Sequence, residues 1–486
     1  MRWPPLWAGV LIGALLWPLL LPGQLALRDM LVLDSPALSA GALGTGDLPA
    51  RNVPQDGLLA LVGMVLPASW VARGLLVAGA VAGAYGALRL AAFQGGGGWS
   101  ALAALTVTLW NPFVVERLLQ GHWSLVVAAW LLPLIAVSGL EGRTGVQWVA
   151  LWAASLTPTG ALFAVLTGLT TARGRRVPTL LFGTVCCLPW LVPGLLHSGV
   201  AGAASVAAFA PRAEAWVGTG GALLGLGGIW NADAVPASRE LGFALAGVLL
   251  AAALATRIRH VPAPLLVLAA VGLGGSLLAW LLPDALTWAT THVPGAALLR
   301  DASKLTALAL PAYVAAAASI RRWAGLVLAL ALLQVPDAPR ALAPLTPQDV
   351  TVDAALVERV AGRDVLLVDD PPLTRRTDGT VIINPLHKAL PVVESGALVV
   401  DGALVDAPSP RWSAAMAAWE EHDLDRLAEL GVGVIVDDGT VTETTAQPRP
   451  RTPGLILLAG WLATPLLALV GRRQPDRPAA PRTAHP

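Results

Sequence analysis

The chain has 486 residues, 55% of them hydrophobic and 13% charged, and a formal net charge of +1. Soluble domains carry roughly 25% charged residues, and here the apolar residues come in long blocks instead of amphipathic stripes, which excludes a water-soluble globule. A net charge this small, averaged over two aqueous faces and a lipid belt, gives no argument for nucleic acid as a partner.

The blocks approach the roughly 20 residues that a helix needs to cross about 30 Å of hydrocarbon, where backbone polar groups must be satisfied internally. The membrane part is therefore expected to be helical. Met1–Arg2 and the apolar run to Leu21 look like a signal peptide, but Gln24-Leu25-Ala26 is a poor cleavage site and the segment reads as a retained anchor. Further apolar runs fall near 70–92, 99–110, 123–140, 148–170, 177–198, 241–256, 262–282, 304–320, 323–335 and 453–471. Basic clusters at Arg173/Arg175/Arg176, Arg257/Arg259, Arg321/Arg322 and Arg472/Arg473 should mark cytoplasmic ends. A single crossing by 148–170 would put Arg143 and Arg173 on opposite sides. Splitting that run at Ser155-Leu-Thr-Pro-Thr-Gly160, where Pro158 and Gly160 interrupt a helix, restores the pattern.

The expected fold is an α-helical polytopic membrane protein of about 12 segments, with both termini cytoplasmic and a small extracytoplasmic α/β domain. The expected divisions are a multi-pass region 1–335, the α/β domain 336–452, a final helix 453–471 and a cytoplasmic tail 472–486. Within 336–452, Asp364–Asp369, Val381–Asn384 and Ala397–Val405 read as strands, the last folded at an Asp401-Gly402 turn. Arg411–Leu430 reads as a helix ending at Gly431 and leading into the strand Val432–Val436. This topology gathers the long polar loops on the outer face, where nucleotide-activated substrates are absent.

Three loops hold the candidate functional residues. After the first helix, Asp29 and Asp34 stand just beyond the outer membrane edge, where a carboxylate can take the proton of an attacking sugar hydroxyl. The alternative for Asp29 is a pair with Arg28 or a helix cap. In Asn111–His122, Glu116 and Gln120 share a face if the turn is helical, and Arg117 offers a fork for a phosphate. An interfacial helix held by a Glu116–Arg117 pair is the competing reading, and His122 closes the segment. In Pro294–Lys304, Arg300 and Lys304 supply positive charge for an anionic leaving group, while Asp301 and Ser303 suit a helix cap. Lys304 and Lys388 are the only lysines.

Of nineteen tryptophans, many end apolar runs as interface belts do, with Trp110, Trp230 and Trp288 as alternatives for stacking on a sugar. Cys186 and Cys187, adjacent in an apolar run, read as core residues. No cofactor is required by any motif. The pairs Asp369-Asp370 and Asp437-Asp438 read first as exposed strand-end carboxylates, with a divalent cation or sugar site as the alternative.

Together these features resemble the GT-C class of membrane glycosyltransferases. More locally, Pro22-Gly-Gln, Arg28-Asp29 and Leu33-Asp34-Ser-Pro36 look like the first-loop pattern of large actinobacterial arabinofuranosyltransferases, and heavy use of Ala, Gly, Pro, Val and Arg fits a GC-rich genome. The broken hairpin at Thr157–Gly160 is similar to one in lipid-linked aminoarabinose transferases, although the lysine those enzymes carry there is replaced by Thr157, Pro158 and Thr159. The resemblance implies an inverting transfer from a polyprenyl-phosphate sugar to a cell-envelope glycan or lipid acceptor. Asp29 is then the first choice of base and Asp34 the second; Arg117, Arg300 and Lys304 hold the donor phosphate, and Glu116, Gln120 and His122 the substrate. Two other classes stay open: a non-catalytic membrane subunit of envelope assembly, and a lipid flippase or transporter.

Overall fold

The computed structural model describes residues 3–196, 202–376, 378–400 and 402–470. The expected tail 472–486 with Arg472 and Arg473, the N-terminal Met1–Arg2 and Asp401 of the expected turn lie outside these residues. Among the described residues seven helices are long and apolar enough to cross a membrane: Trp3–Leu20, Ala68–Phe93, Trp99–Gln120, Trp123–Leu140, Arg176–Leu196, Ala263–Leu281 and Thr452–Leu469. The remaining apolar runs form shorter helices: Thr144–Ala154, Pro158–Thr171, Ala244–Ala255, Leu310–Ser319 and Ala324–Leu333. At about 1.5 Å per residue these reach roughly 15–21 Å, short of the 30 Å core, so seven helices of spanning length and five shorter ones stand where about 12 segments were expected. The break expected within 148–170 falls at residues 155–157, where Thr157 caps the second helix by accepting from the Gly160 amide.

The bundle is organised around Trp123–Leu140, which is buried along its whole length. Helix Ala68–Phe93 lies against it through Gly79, Gly83 and Gly86. A Cβ added at these positions would meet Val127 at 3.0 Å, Trp130 O at 2.7 Å and Leu134 N at 2.5 Å. Small residues let the two backbones approach closely where no hydrophobic driving force separates protein from lipid. The 99–120 helix is kinked at Trp110. Asn111 there restarts the helix, accepting from the Val114 amide at 3.0 Å, with Pro112 in the first turn.

Segment 336–452 builds a three-stranded sheet of order β3-β8-β9, with β3 Val365–Leu367 parallel to β8 Val434–Asp437 and β8 antiparallel to β9 Thr440–Glu443. Strand alternation sends Leu366 and Ile435 into one core with helix Pro410–Glu420, and Val365, Leu367, Val434 and Val436 into the other. The expected helix 411–430 is two helices, Pro410–Glu420 and Leu424–Glu429, because His422 is left-handed and Asp423 caps the second. Two further hairpins pair β4 Leu373–Arg375 with β5 Val381–Ile383, and β6 Leu398–Val400 with β7 Ala403–Asp406.

The loop after the first helix is not irregular. It folds into a hairpin of β1 Leu25–Leu27 and β2 Met30–Val32, and its period of two divides it between two cores. Leu25, Leu27, Met30 and Val32 enter the core of the bundle, while Ala26, Leu31 and Leu33 enter the core shared with β3, β5 and β8. Ion pairs reinforce the seam: Lys388 to Asp56 at 2.5 Å, and Arg411 and Arg449 each to both Asp47 and Asp364.

Candidate active site

The site forms where the tip of the β1–β2 hairpin meets the C-terminus of helix Pro112–Gln120. A helix end leaves four carbonyls without intrahelical partners. Here all four are taken. Arg117 O accepts from the His122 amide at 2.8 Å, Leu118 O from the Gly121 amide at 3.0 Å, Leu119 O from Arg28 Nη1 at 2.6 Å, and Gln120 O from the Asp29 amide at 3.1 Å. Gly121 makes this junction feasible. Its φ is +93°, and a Cβ there would lie 2.7 Å from Leu27 O and closer still to Met30 N. Arg28, itself left-handed, directs its other nitrogen to Asp233 O, so the pairing of Asp29 with Arg28 considered from the sequence gives way to different partners.

Those partners are Gln120 and His122. Gln120 Nε2 and His122 Nε2 each stand 3.0 Å from Asp29 Oδ2, and Oδ1 has no partner among the described residues. The Asp29 side chain is 49% exposed, so that oxygen can be reached from solvent. Its recess displaces water and works against the charged form, but the bonds from His122 and Gln120 and the charge of Lys304 outweigh this and hold the carboxyl below the ordinary carboxylate range.

The same recess pushes the His122 imidazole below its ordinary value: burial is the largest cause, partly opposed by the Asp29 bond and reinforced by the charges of Lys304 and Arg117. A neutral ring with Arg117 Nη1 placed 3.3 Å from Nδ1 carries its proton on Nε2 and donates it to Asp29.

Behind this pair lies a buried ionic group. Arg117 forks onto Asp301, with Nη1 to Oδ2 at 2.7 Å and Nη2 to Oδ1 at 3.1 Å, and also donates to Ser303 Oγ at 2.6 Å. Ser303 in turn donates to Asp301 Oδ1 at 2.8 Å. Burial alone would raise the Asp301 carboxyl, but Arg117 and Lys304 hold it far below the carboxylate range. Lys304 Nζ is 3.4 Å from Asp301 Oδ2 and its side chain is 22% exposed, against 2% for Arg117. Asp301 was expected as a helix cap; it makes no cap bond and instead neutralises Arg117.

Several sequence expectations change here. Arg117 cannot meet a phosphate directly, since its fork is filled and its side chain buried. Glu116 and Gln120 do share a face, yet both are buried and turn to residues 229–231. Glu116 Oε2 accepts from the Ile229 amide at 3.0 Å and Gln120 Oε1 from Asn231 at 2.7 Å. Neither is placed for substrate contact. Asp34 stands at the foot of the hairpin, not its tip. Its Oδ1 accepts from Ser69 at 2.5 Å and its carbonyl from the Ala68 amide, which ties down the start of helix Ala68–Phe93. Trp110 is buried and donates to Leu332 O and Val335 O, away from any sugar position.

Arg300 is on the same side but farther out. Its Nη1 donates to Asp406 at 2.7 Å and Ser205 at 2.8 Å, and the guanidinium lies 4.2 Å above the Phe209 ring. Arg51, which the sequence did not single out, stands 3.9 Å from Asp406, is 56% exposed, and lies close enough to Asp29 and Arg300 for their charges to act on it. With Arg117 and Asp301 cancelling, the recess holds Arg51, Arg300 and Lys304 against Asp29 and Asp406, a surplus of positive charge beside the free carboxylate oxygen. Asp369 and Asp437 lie together at strand ends elsewhere, where hydrogen bonding to Asp437 raises the Asp369 carboxyl. Among the described residues no cluster of three or more His, Cys, Asp or Glu side chains suits a metal ion.

No protein-family model matches the chain, and no curated protein matches it. Among solved structures it is similar to a mutant of arabinofuranosyltransferase AftD from mycobacteria, determined by single-particle cryo-EM. The identity is 20% and the TM-score 0.44, with 94% of this chain and 38% of that chain covered. The chain thus spans under two fifths of that protein's length.

Proposed function

We propose that the chain is a membrane glycosyltransferase that moves a sugar from a polyprenyl-phosphate donor to a cell-envelope acceptor on the extracytoplasmic side. One observation carries this reading. Asp29 presents an unengaged carboxylate oxygen in a recess whose surplus charge is positive, so a base and an anion-binding surface face one space. Both are required for displacement at an anomeric carbon.

In the proposed step, Asp29 Oδ1 takes the proton of the acceptor hydroxyl as the hydroxyl oxygen attacks the anomeric carbon. The bond from that carbon to the phosphate oxygen breaks, and its electron pair leaves with the polyprenyl phosphate. Lys304, Arg300 and Arg51 stabilise the developing phosphate charge. A single displacement inverts the anomeric configuration. Arg117 acts through others: it holds the His122 tautomer that donates to Asp29, and it anchors Asp301, which orients Lys304.

Both termini lie on the cytoplasmic side in this reading, opposite the recess, and segment 336–452 is extracytoplasmic. Transfer from a defined polyprenyl-phosphate sugar by the purified protein tests the proposal. Asp29→Asn should lower turnover by about three orders of magnitude, and transfer that is insensitive to this change overturns the assigned base.

A further inference from the structure

The β6–β7 hairpin stands apart from the sheet of its own segment. It is a two-stranded ribbon in which Val399 faces Leu404 across the strands, and these residues are 58% and 57% exposed. Such a ribbon is marginal in water when nothing covers its apolar face. Water-facing strands carry charge, yet within β6 and β7 only Asp406 is charged, and it is held by Arg300 at 2.7 Å.

That anchorage places the ribbon. Arg300 also binds Ser205 of helix Ala203–Ala208, and this helix packs against both β7 and helix Pro283–His292. Pro283–His292 begins two residues after the end of Ala263–Leu281, a span of mean hydropathy 2.0. The surface around this junction is apolar and open: Leu278 is 57% exposed, Leu281 54%, Leu282 53% and Trp288 61%. An exposed tryptophan just past the end of an apolar span is the usual mark of the headgroup level. Helix Ala203–Ala208 thus links the ribbon to the exposed apolar end of this span.

We propose that the Val399–Leu404 face of the β6–β7 hairpin lies on the lipid surface, at the end of the bundle that carries Asp29. The ribbon buries its apolar pair at the boundary between headgroups and acyl chains, level with Trp288, and Asp406 keeps it tied to Arg300 at the rim of the recess. Lipid is the occupant because the short helix that packs on β7 also packs on Pro283–His292, directly after a spanning helix whose end is apolar and exposed. The inference rests on the membrane reading alone and not on the transferase reading.

The test uses the full chain in vesicles of phosphatidylglycerol and phosphatidylethanolamine, in a Cys186→Ala, Cys187→Ala background. Val399→Cys and Leu404→Cys are labelled with an environment-sensitive fluorophore and quenched either by nitroxide-bearing lipid or by aqueous iodide. Leu278→Cys serves as the lipid-facing standard and Thr440→Cys, on β9, as the water-facing one. Positions 399 and 404 should follow 278, with lipid quenching at least about threefold above that at 440 and little quenching by iodide. Behaviour like that of 440 overturns the proposal. Protection from both quenchers also overturns it, since the ribbon would then be covered by protein. If 278 itself fails to report lipid, the membrane placement on which the inference rests has failed.

Discussion

Asp29 and Asp34 sit five residues apart at the two ends of one hairpin, and the first-loop sequence presents them as near equals. The structure separates them by what their partners do and by the charge around them. At the foot, Asp34 uses its carboxylate on Ser69 and its carbonyl on Ala68, both at the start of a spanning helix. At the tip, Asp29 has two donors on one oxygen and none on the other, in a recess open to solvent. Both carboxylates are fixed by one oxygen, and what distinguishes Asp29 is the positive charge of Lys304 and Arg51 acting beside its second. Proximity to the membrane edge does not distinguish the two.

The largest expected effect is at the tip. Asp29→Asn should lower transfer by about three orders of magnitude, the scale of a general base and roughly 4 kcal/mol, with the folded state retained. An equal loss from Asp34→Asn would erase the contrast between the ends. Next, Arg117→Met leaves the buried Asp301 carboxylate with only Lys304 and Ser303 as partners and should cost about 3 kcal/mol of stability, read as a loss of melting temperature in detergent. Arg117→Met with Asp301→Leu should recover part of that loss without recovering activity, because the His122 tautomer is no longer held.

A smaller effect is expected at His122, whose pKa is depressed in the folded state. Between that value and the unfolded value of about 6.5 the unfolded chain binds more protons, so stability rises with pH and is lost as pH falls below about 6.5. The Asp29 carboxyl is also depressed. Its contribution persists to lower pH and is lost only as pH falls through its folded value. His122→Gln keeps an amide donor toward Asp29 but should flatten the dependence of melting temperature on pH just below about 6.5, and lower transfer roughly tenfold. An unchanged slope would show that His122 does not titrate in this window. The smallest effect is at the foot: Asp34→Asn retains an oxygen acceptor for Ser69 and should change stability by less than about 1 kcal/mol and transfer by less than about threefold.

The polar turns were legible in the sequence because lipid makes polarity costly, so Asp29, Arg117, His122 and Lys304 stand out against apolar runs. The helix break at 155–157 was legible for a similar reason, as proline and glycine interrupt backbone bonding wherever they fall. What could not be read was pairing at a distance. Arg117 and Asp301 are 184 residues apart, and no local pattern shows that the fork is filled by a neighbour instead of a phosphate. Arg51 and Asn231 lie in loops without periodicity and gain meaning only from Asp406 and Gln120, which the fold brings to them. Helix lengths were overestimated for a different reason: composition reports how apolar a run is, while caps, 3₁₀ stretches and left-handed residues decide where its hydrogen bonding stops.

The alternation along β1 and β2 has a mechanical consequence. Ala26, Leu31 and Leu33 are fastened in one core, while their neighbours Leu25, Leu27, Met30 and Val32 are fastened in the other, and Asp29 is the turn between them. The ribbon thus works as a rivet between the two. Segment 336–452 cannot tilt against the bundle without straining the strands on either side of Asp29.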